Sequence, residues 1–262
     1  MTALLRWLAL LLLALLALQL FFVLRIAAMA VLDPQSTAFQ RSEAWRLVNE
    51  KDRLQWRQQW VGYGQISDHL KRAVIASEDD GFAGHDGVDW DALEKAWQKN
   101  ARAEARAAKS AATATAKSSA KANTNANTNA NSTAKAGRTP KVVGGSTITQ
   151  QLAKNLFLSG ERTLLRKGQE FVLTLLLEAL LSKQRILEIY LNSVEWGEGV
   201  FGAEAAAQHY FRKPAARLTA FEAARLAVML PRPRYFEKLP SSGYLAERAA
   251  VIVERLPNAQ LP

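Results

Sequence analysis

From Trp7 to Leu24 the chain reads WLALLLLALLALQLFFVL, 18 residues with no charge and one polar interruption, Gln19. As a helix this run spans about 27 Å, enough to cross the hydrocarbon core of a thin bilayer. Arg6 and Arg25 bracket it, one on each side, so the positive-inside rule gives almost no orientation. Ala28-Met29-Ala30 offers a small-x-small cleavage site, and a removed leader is the alternative reading. The run is longer than a usual leader core, and apolar residues continue to Leu32, so we expect residues 1–32 to be a retained anchor with a helix over about 7–24.

The remaining residues are enough for one domain. With 49% apolar and 22% charged residues the chain buries a core, which excludes global disorder. The absence of Cys excludes disulfides, thiolate metal sites and a Cys nucleophile. Three His (His69, His85, His209) leave little for a His-rich metal site. The net charge is +10, and the anchor contributes only two Arg to it. The excess therefore belongs to the folded part and suggests an anionic partner: nucleic acid, an anionic membrane surface or a phosphorylated substrate.

Residues 101–137 stand apart. Fifteen of these 37 are Ala, most others are Lys, Arg, Ser, Thr or Asn, and Glu104 is the only acid. Such a stretch buries too little apolar surface to offset its ordering entropy. Its first third, ARAEARAAKSAA, can extend a helix, and the Asn/Thr part reads as a mobile loop. Six basic residues over this length are too sparse for a nucleic-acid arm, so no nucleic acid is expected. Ser118-Ser119-Ala120-Lys121 and Ser132-Thr133-Ala134-Lys135 fit S-x-x-K, but no K-T-G or S-D-N partner exists, so neither is an acylation site.

The rest reads mainly as helix. Expected helices cover 39–61, 66–77, 146–158, 164–181, 182–191, 203–211 and 219–230, with Pro231 and Pro233 stopping the last. Any sheet is small. The run Phe171–Leu181 is too short and, with Glu178, too polar for a second span; it reads as a buried helix.

Four clusters carry chemistry. In Glu78-Asp79-Asp80-Gly81-Phe82-Ala83-Gly84-His85-Asp86-Gly87 an apolar helix runs into three acids. Crowded acids repel, so one can be poised as a general base; a solvated helix end is the plainer reading. Gly144 to Asn155 (GGSTITQQLAKN) opens a helix with Gly-Gly and two hydroxyls, and Lys154 follows two turns after Thr147. A capped helix start is a ready anion site, though the spacing is not that of a P-loop. Arg166-Lys167-Gly168-Gln169-Glu170 offers either a surface ion pair at i,i+4 or two cations gripping a phosphate. Lys183 to Asn192 (KQRILEIYLN) alone is an amphipathic helix.

In this order and wording the clusters resemble the glycosyltransferase module of peptidoglycan synthases. E-D-x-x-F-x-x-H-x-G is met by Glu78 to Gly87, and G-G-S-T-I-T-Q-Q-x-x-K-N by Gly144 to Asn155. R-K-x-x-E is met by Arg166 to Glu170, and K-x-x-I-L-E-x-Y-L-N by Lys183 to Asn192. The stretches GVFGAEAAAQHYF and LTAFEAARLAVMLPRPRY are similar to its C-terminal part. The resemblance covers residues 40–240. No penicillin-binding domain follows, so the chain resembles a monofunctional biosynthetic peptidoglycan transglycosylase without transpeptidase activity.

The resemblance implies a mainly α, lysozyme-like, two-lobed helical domain over 33–262, interrupted by the insert 101–137. It implies a single-pass anchor in the bacterial inner membrane with the catalytic domain in the periplasm. Lipid II and the growing lipid-linked glycan chain are the implied substrates, the lipid bilayer an implied partner, and other cell-wall synthesis proteins further ones. Glu78 matches the general base that takes the proton of the acceptor 4-hydroxyl, with inversion at the donor anomeric carbon. Lys154, Arg166 and Lys167 match positions that stabilise the departing undecaprenyl pyrophosphate, and Ser146, Thr147, Gln150 and Asn155 belong to the substrate-binding motif. Glu170 matches the second catalytic acid, which orients the cations or helps hold a divalent ion (Mg or Mn). Trp90, Leu93 and Trp97 form a stripe that faces either the membrane interface or a core.

Two other readings are a lysozyme-like peptidoglycan hydrolase and a membrane-anchored, non-catalytic binding module. The hydrolase needs no pyrophosphate clamp such as Lys154, Arg166 and Lys167. The binding module predicts that Glu78→Gln is silent.

Overall fold

A computed structural model describes residues 3–52, 54–122, 145–158 and 163–262. The chain divides into two units, one comprising Met1–Val88 with Ser146–Pro262 and the other Asp89–Gly145.

In the larger unit the first helix, α1 (Ala3–Ala28), is the one described helix long and apolar enough to cross a membrane. Its Leu-rich surface is exposed along most of its length. Its last turns differ: Phe22, Ile26 and Met29 are buried and belong to the domain core, and Phe22 packs edge-on against Phe157 at 5.4 Å. The C-terminal end of α1 is therefore packed into the domain.

α2 (Ala38–Lys51) starts at a capping box made by Thr37 and Gln40. It ends at Asp52, whose φ of 52° is left-handed, which halts the helix predicted to reach residue 61. Trp56 and Trp60 continue its apolar spacing but lie beyond it. Trp56 instead stacks on Phe201 at 4.5 Å, beside the strand β1 (Arg57–Gln58).

β1 pairs in parallel with β3 (Val200–Phe201), which pairs antiparallel with β2 (Glu195–Gly197). Gly199, at φ +71°, makes the turn between β2 and β3; a Cβ there would lie 2.0 Å from the Gln55 carbonyl oxygen. Only Gly fits that approach.

Four helices build the site. α3 (Asp68–Glu78) buries Leu70, Ala73, Val74 and Ile75. α5 (Ile148–Phe157) and α6 (Leu164–Leu180) pack on each other and bury Leu152, Leu156, Leu173 and Leu177. α7 (Lys183–Ser193) adds Ile186, Leu187 and Tyr190. α8 (Ala203–Phe211), α9 (Ala220–Met229), α10 (Pro233–Glu237) and α11 (Gly243–Arg255) close the core from the other side, α9 against both α3 and α11. Trp196 is fully buried, and its indole N–H donates to the Leu226 carbonyl at 3.0 Å, so its polar handle is satisfied. Truncating a core Leu such as Leu152 to Ala costs about 2–5 kcal/mol.

The smaller unit is α4 (Trp90–Ala122) with its flanks. Asp89 caps it by accepting from the Ala92 N–H at 2.8 Å. The helix runs beyond the 112 that the Ala-rich pattern suggests, and the Asn/Thr part expected to be a loop lies outside the described residues. Trp90, Leu93 and Trp97 are exposed, so the stripe is not core-facing, while Ala96 is buried.

Candidate active site

The three acids at the end of α3 go three ways. Asp80 is exposed and pairs with Arg255 at 3.0 Å. Asp79 is buried; its Oδ1 lies 2.8 Å from His85 Nε2 and its Oδ2 accepts from the Ile148 N–H at 2.9 Å. The Gly87 N–H donates to His85 Nδ1 at 3.1 Å, so that nitrogen is the acceptor and Nε2 carries the proton to Asp79.

Glu78 is the acid left for chemistry. Its Oε2 accepts from the Gln151 amide at 2.8 Å, and the Tyr190 hydroxyl donates to the other end of that amide at 3.0 Å. Burial pushes the Glu78 carboxyl above its ordinary range, with the Asp79 charge adding to it. The Gln151 bond and the Lys154 charge oppose that rise. Tyr190 is fully buried, and burial raises its hydroxyl well above normal, with Glu78 and Asp79 contributing, so it stays a proton donor.

The start of α5 is already occupied by a side chain of the protein. Thr147 and Gln150 form a reciprocal capping box, and the Thr147 hydroxyl donates to the Gly87 carbonyl at 2.6 Å. The anion on the first N–H of the helix is Asp79, not a phosphate. Thr147 and Gln150, expected as phosphate contacts, are both buried and form this cap. Phosphate sites and capping boxes draw on the same residue types, so the sequence did not separate them. Ser146, one residue earlier, is exposed.

Lys154 and Asn155, two turns along α5, line a cavity of about 460 Å³ together with Gln151, Arg166, Phe39 and Glu195. Arg166 and Lys167 sit in the first turn of α6, where Thr163 caps the helix. Both reach Glu170, Arg166 at 3.4 Å and Lys167 in a short contact; Glu170 is buried, whereas Lys167 is half exposed. Lys167 and Glu170 are not among the lining residues. The Arg166 Nε is buried without a protein partner.

A second carboxylate joins the motifs. Glu178 accepts from the Thr149 hydroxyl at 2.6 Å and from Lys183 at 2.8 Å. Gly87, at φ +85°, lies flat against its helix: a Cβ there would meet Thr174 at 2.7 Å and Glu178 at 2.8 Å. Asn192 ends the fourth cluster by bonding both Val61 backbone groups at 3.0 and 2.9 Å. All four clusters thus meet in one packed region.

A family model described as Transglycosylase matches residues 46–137 and 122–257. The chain belongs to this family. It is 53% identical over 247 residues to a "Biosynthetic peptidoglycan transglycosylase" of Burkholderia thailandensis, covering 94% of this chain and 83% of that protein. The proteins of the same description from Burkholderia pseudomallei and Burkholderia orbicola are 51% and 49% identical over 94% of this chain, covering 83% and 86% of their own lengths. The fold is accordingly mainly α and lysozyme-like, and the chain is a glycosyltransferase enzyme.

Among the described residues no group of three or more His, Asp or Glu could hold a metal ion. Both Glu170 oxygens already contact cations. Five residues of the site escaped the sequence reading. Asp79 and Gln151 stood inside quoted motifs without a role. Glu178 carried one signal, an acid inside an apolar run that must find partners once buried. Tyr190 looked like core. Glu195, a carboxyl raised by burial and held by Arg234 at 2.9 and 3.1 Å, left no signal.

Proposed function

We propose that the chain polymerises lipid II into linear glycan strands as a peptidoglycan transglycosylase. The observation that carries this is the pairing of a raised carboxyl, Glu78, with a cavity holding Lys154 and Arg166; Gln151 bonds the first and lines the second.

Glu78 takes the proton from the acceptor 4-hydroxyl as that oxygen attacks the donor anomeric carbon. A carboxyl whose proton affinity is raised is, once ionised, a better base than an ordinary one. The bond from the anomeric carbon to undecaprenyl pyrophosphate breaks, and both of its electrons leave with the pyrophosphate. Attack opposite the leaving group inverts the anomeric centre. Lys154 and Arg166 stabilise the departing charge. Glu170 holds Arg166 in place and pairs with Lys167, and Ser146 and Asn155 supply further polar contacts.

In this reading residues 1–32 anchor the chain in the inner membrane and residues 33–262 act on its periplasmic face. A hydrolase shares the helical fold and the acid but has no use for cations facing a leaving group. Labelled lipid II with purified protein in detergent tests the proposal. The wild type should yield long glycan and folded Glu78→Gln none; short or anhydro sugars would show glycan cleavage instead.

A further inference from the structure

The turn that follows α1 is held by a side chain from another helix. The α1 carbonyls of Arg25 to Ala28 are taken by the N–H groups of Met29 to Leu32, and the carbonyls of that turn need donors from elsewhere. Arg185, in the first turn of α7, supplies two such donors. Its Nε donates to the Met29 carbonyl at 2.8 Å, and one terminal nitrogen donates to the Leu32 carbonyl at 3.0 Å and to Asp33 at 2.7 Å. Glu188 holds the other terminal nitrogen at 3.1 Å, and the guanidinium lies 5.6 Å from the Trp60 ring centroid. The side chain is only 14% exposed.

The same helix reaches the candidate active site by other residues: Lys183 bonds Glu178, and Tyr190 bonds Gln151, which bonds Glu78. From this we propose that Arg185 is a positioning residue that locks the anchor helix to α7 and so holds the cleft at a fixed height and tilt over the membrane. Resting on the lipid II reading, it makes Arg185 matter when the substrate is confined to a bilayer and dispensable when a micelle presents it freely. Phe22 and Ile26 in the core keep the anchor attached without Arg185, but an apolar contact does not fix its rotation as three directed hydrogen bonds do.

The test uses full-length wild type, Arg185→Lys and Arg185→Ala, each assayed in detergent micelles and in vesicles. Misplacing reactants by an ångström is costly, so Arg185→Ala should lose about tenfold or more in vesicles and less than about twofold in detergent. Arg185→Lys keeps a charge but not the fork and should fall between. Equal losses in both media would make Arg185 a folding residue, and no loss in either would remove its role; both overturn the proposal. Spin labels at Leu20→Cys and Glu247→Cys, both exposed in a chain without native Cys, read the lock directly. The wild type should give a narrow distance distribution and Arg185→Ala a broad one; equal widths sink the lock. A wild type that makes no polymer in either medium defeats the lipid II reading, and the label distances then decide the lock alone.

Discussion

Glu78 closes α3 and Glu170 sits in the second turn of α6, and the two carboxylates have different neighbours. Glu78 has a neutral amide on one oxygen, a buried surrounding and a like charge next door, all compatible with taking up a proton. Glu170 has a cation on each oxygen. The contrast separates two jobs that look alike in sequence. A base needs a partner that orients it without neutralising it; a counter-ion needs its cations in contact.

The largest expected effect breaks the first half of that contrast. Glu78→Gln keeps the shape and the bond to Gln151 but cannot take a proton, so polymerisation falls by about 10²–10⁴-fold. The second half is tested by Glu170→Gln, which leaves Arg166 and Lys167 without a countercharge. Loss of a charged hydrogen-bonded partner costs about 2 kcal/mol of stability, seen as a lower denaturation midpoint, with a smaller loss of turnover than Glu78→Gln. If Glu170→Gln instead matched Glu78→Gln in turnover while staying as stable as wild type, the counter-ion role would be wrong.

Gln151→Leu sharpens the comparison through pH. The amide bond lowers the Glu78 proton affinity, so removing it raises that affinity further. The base must be ionised to act, and the acid limb of the rate profile should therefore move to higher pH. An unmoved limb would mean that Gln151 does not tune the base. The smallest effect is on stability. Because folding raises the Glu78 proton affinity, its contribution to stability is complete below the unfolded-state range and is lost as pH rises through the folded one. Glu78→Gln should thus melt slightly higher than wild type at neutral pH, and thermal scans should show the gap closing as the medium is acidified.

Much of this was legible in the chain. The 3.6-residue periodicity located α3, α5, α6, α7, α8 and α9 within a few residues, and the four clusters marked the region where they meet. It failed where two physical causes leave one pattern. Trp45, Val48, Trp56 and Trp60 keep helical spacing across Asp52, but a left-handed residue breaks the helix between them. Among three consecutive acids, only the twist of the chain past Glu78 decides that Asp79 turns inward to α5 and Asp80 outward to Arg255. Long-range partners such as Glu178 with Thr149, or Glu195 with Arg234, have no local signature at all.

The burial of Phe22, Ile26 and Met29 bears on anyone wishing to make a soluble form. Sequence hydropathy invites a cut near residue 32, but that cut would strip three side chains from the domain, expose Phe157, and leave Arg185 with neither carbonyl. Each large apolar group lost from such a seam costs about 2–5 kcal/mol. A shorter trim that starts the chain before Phe22 gives up most of the greasy surface and keeps the plug.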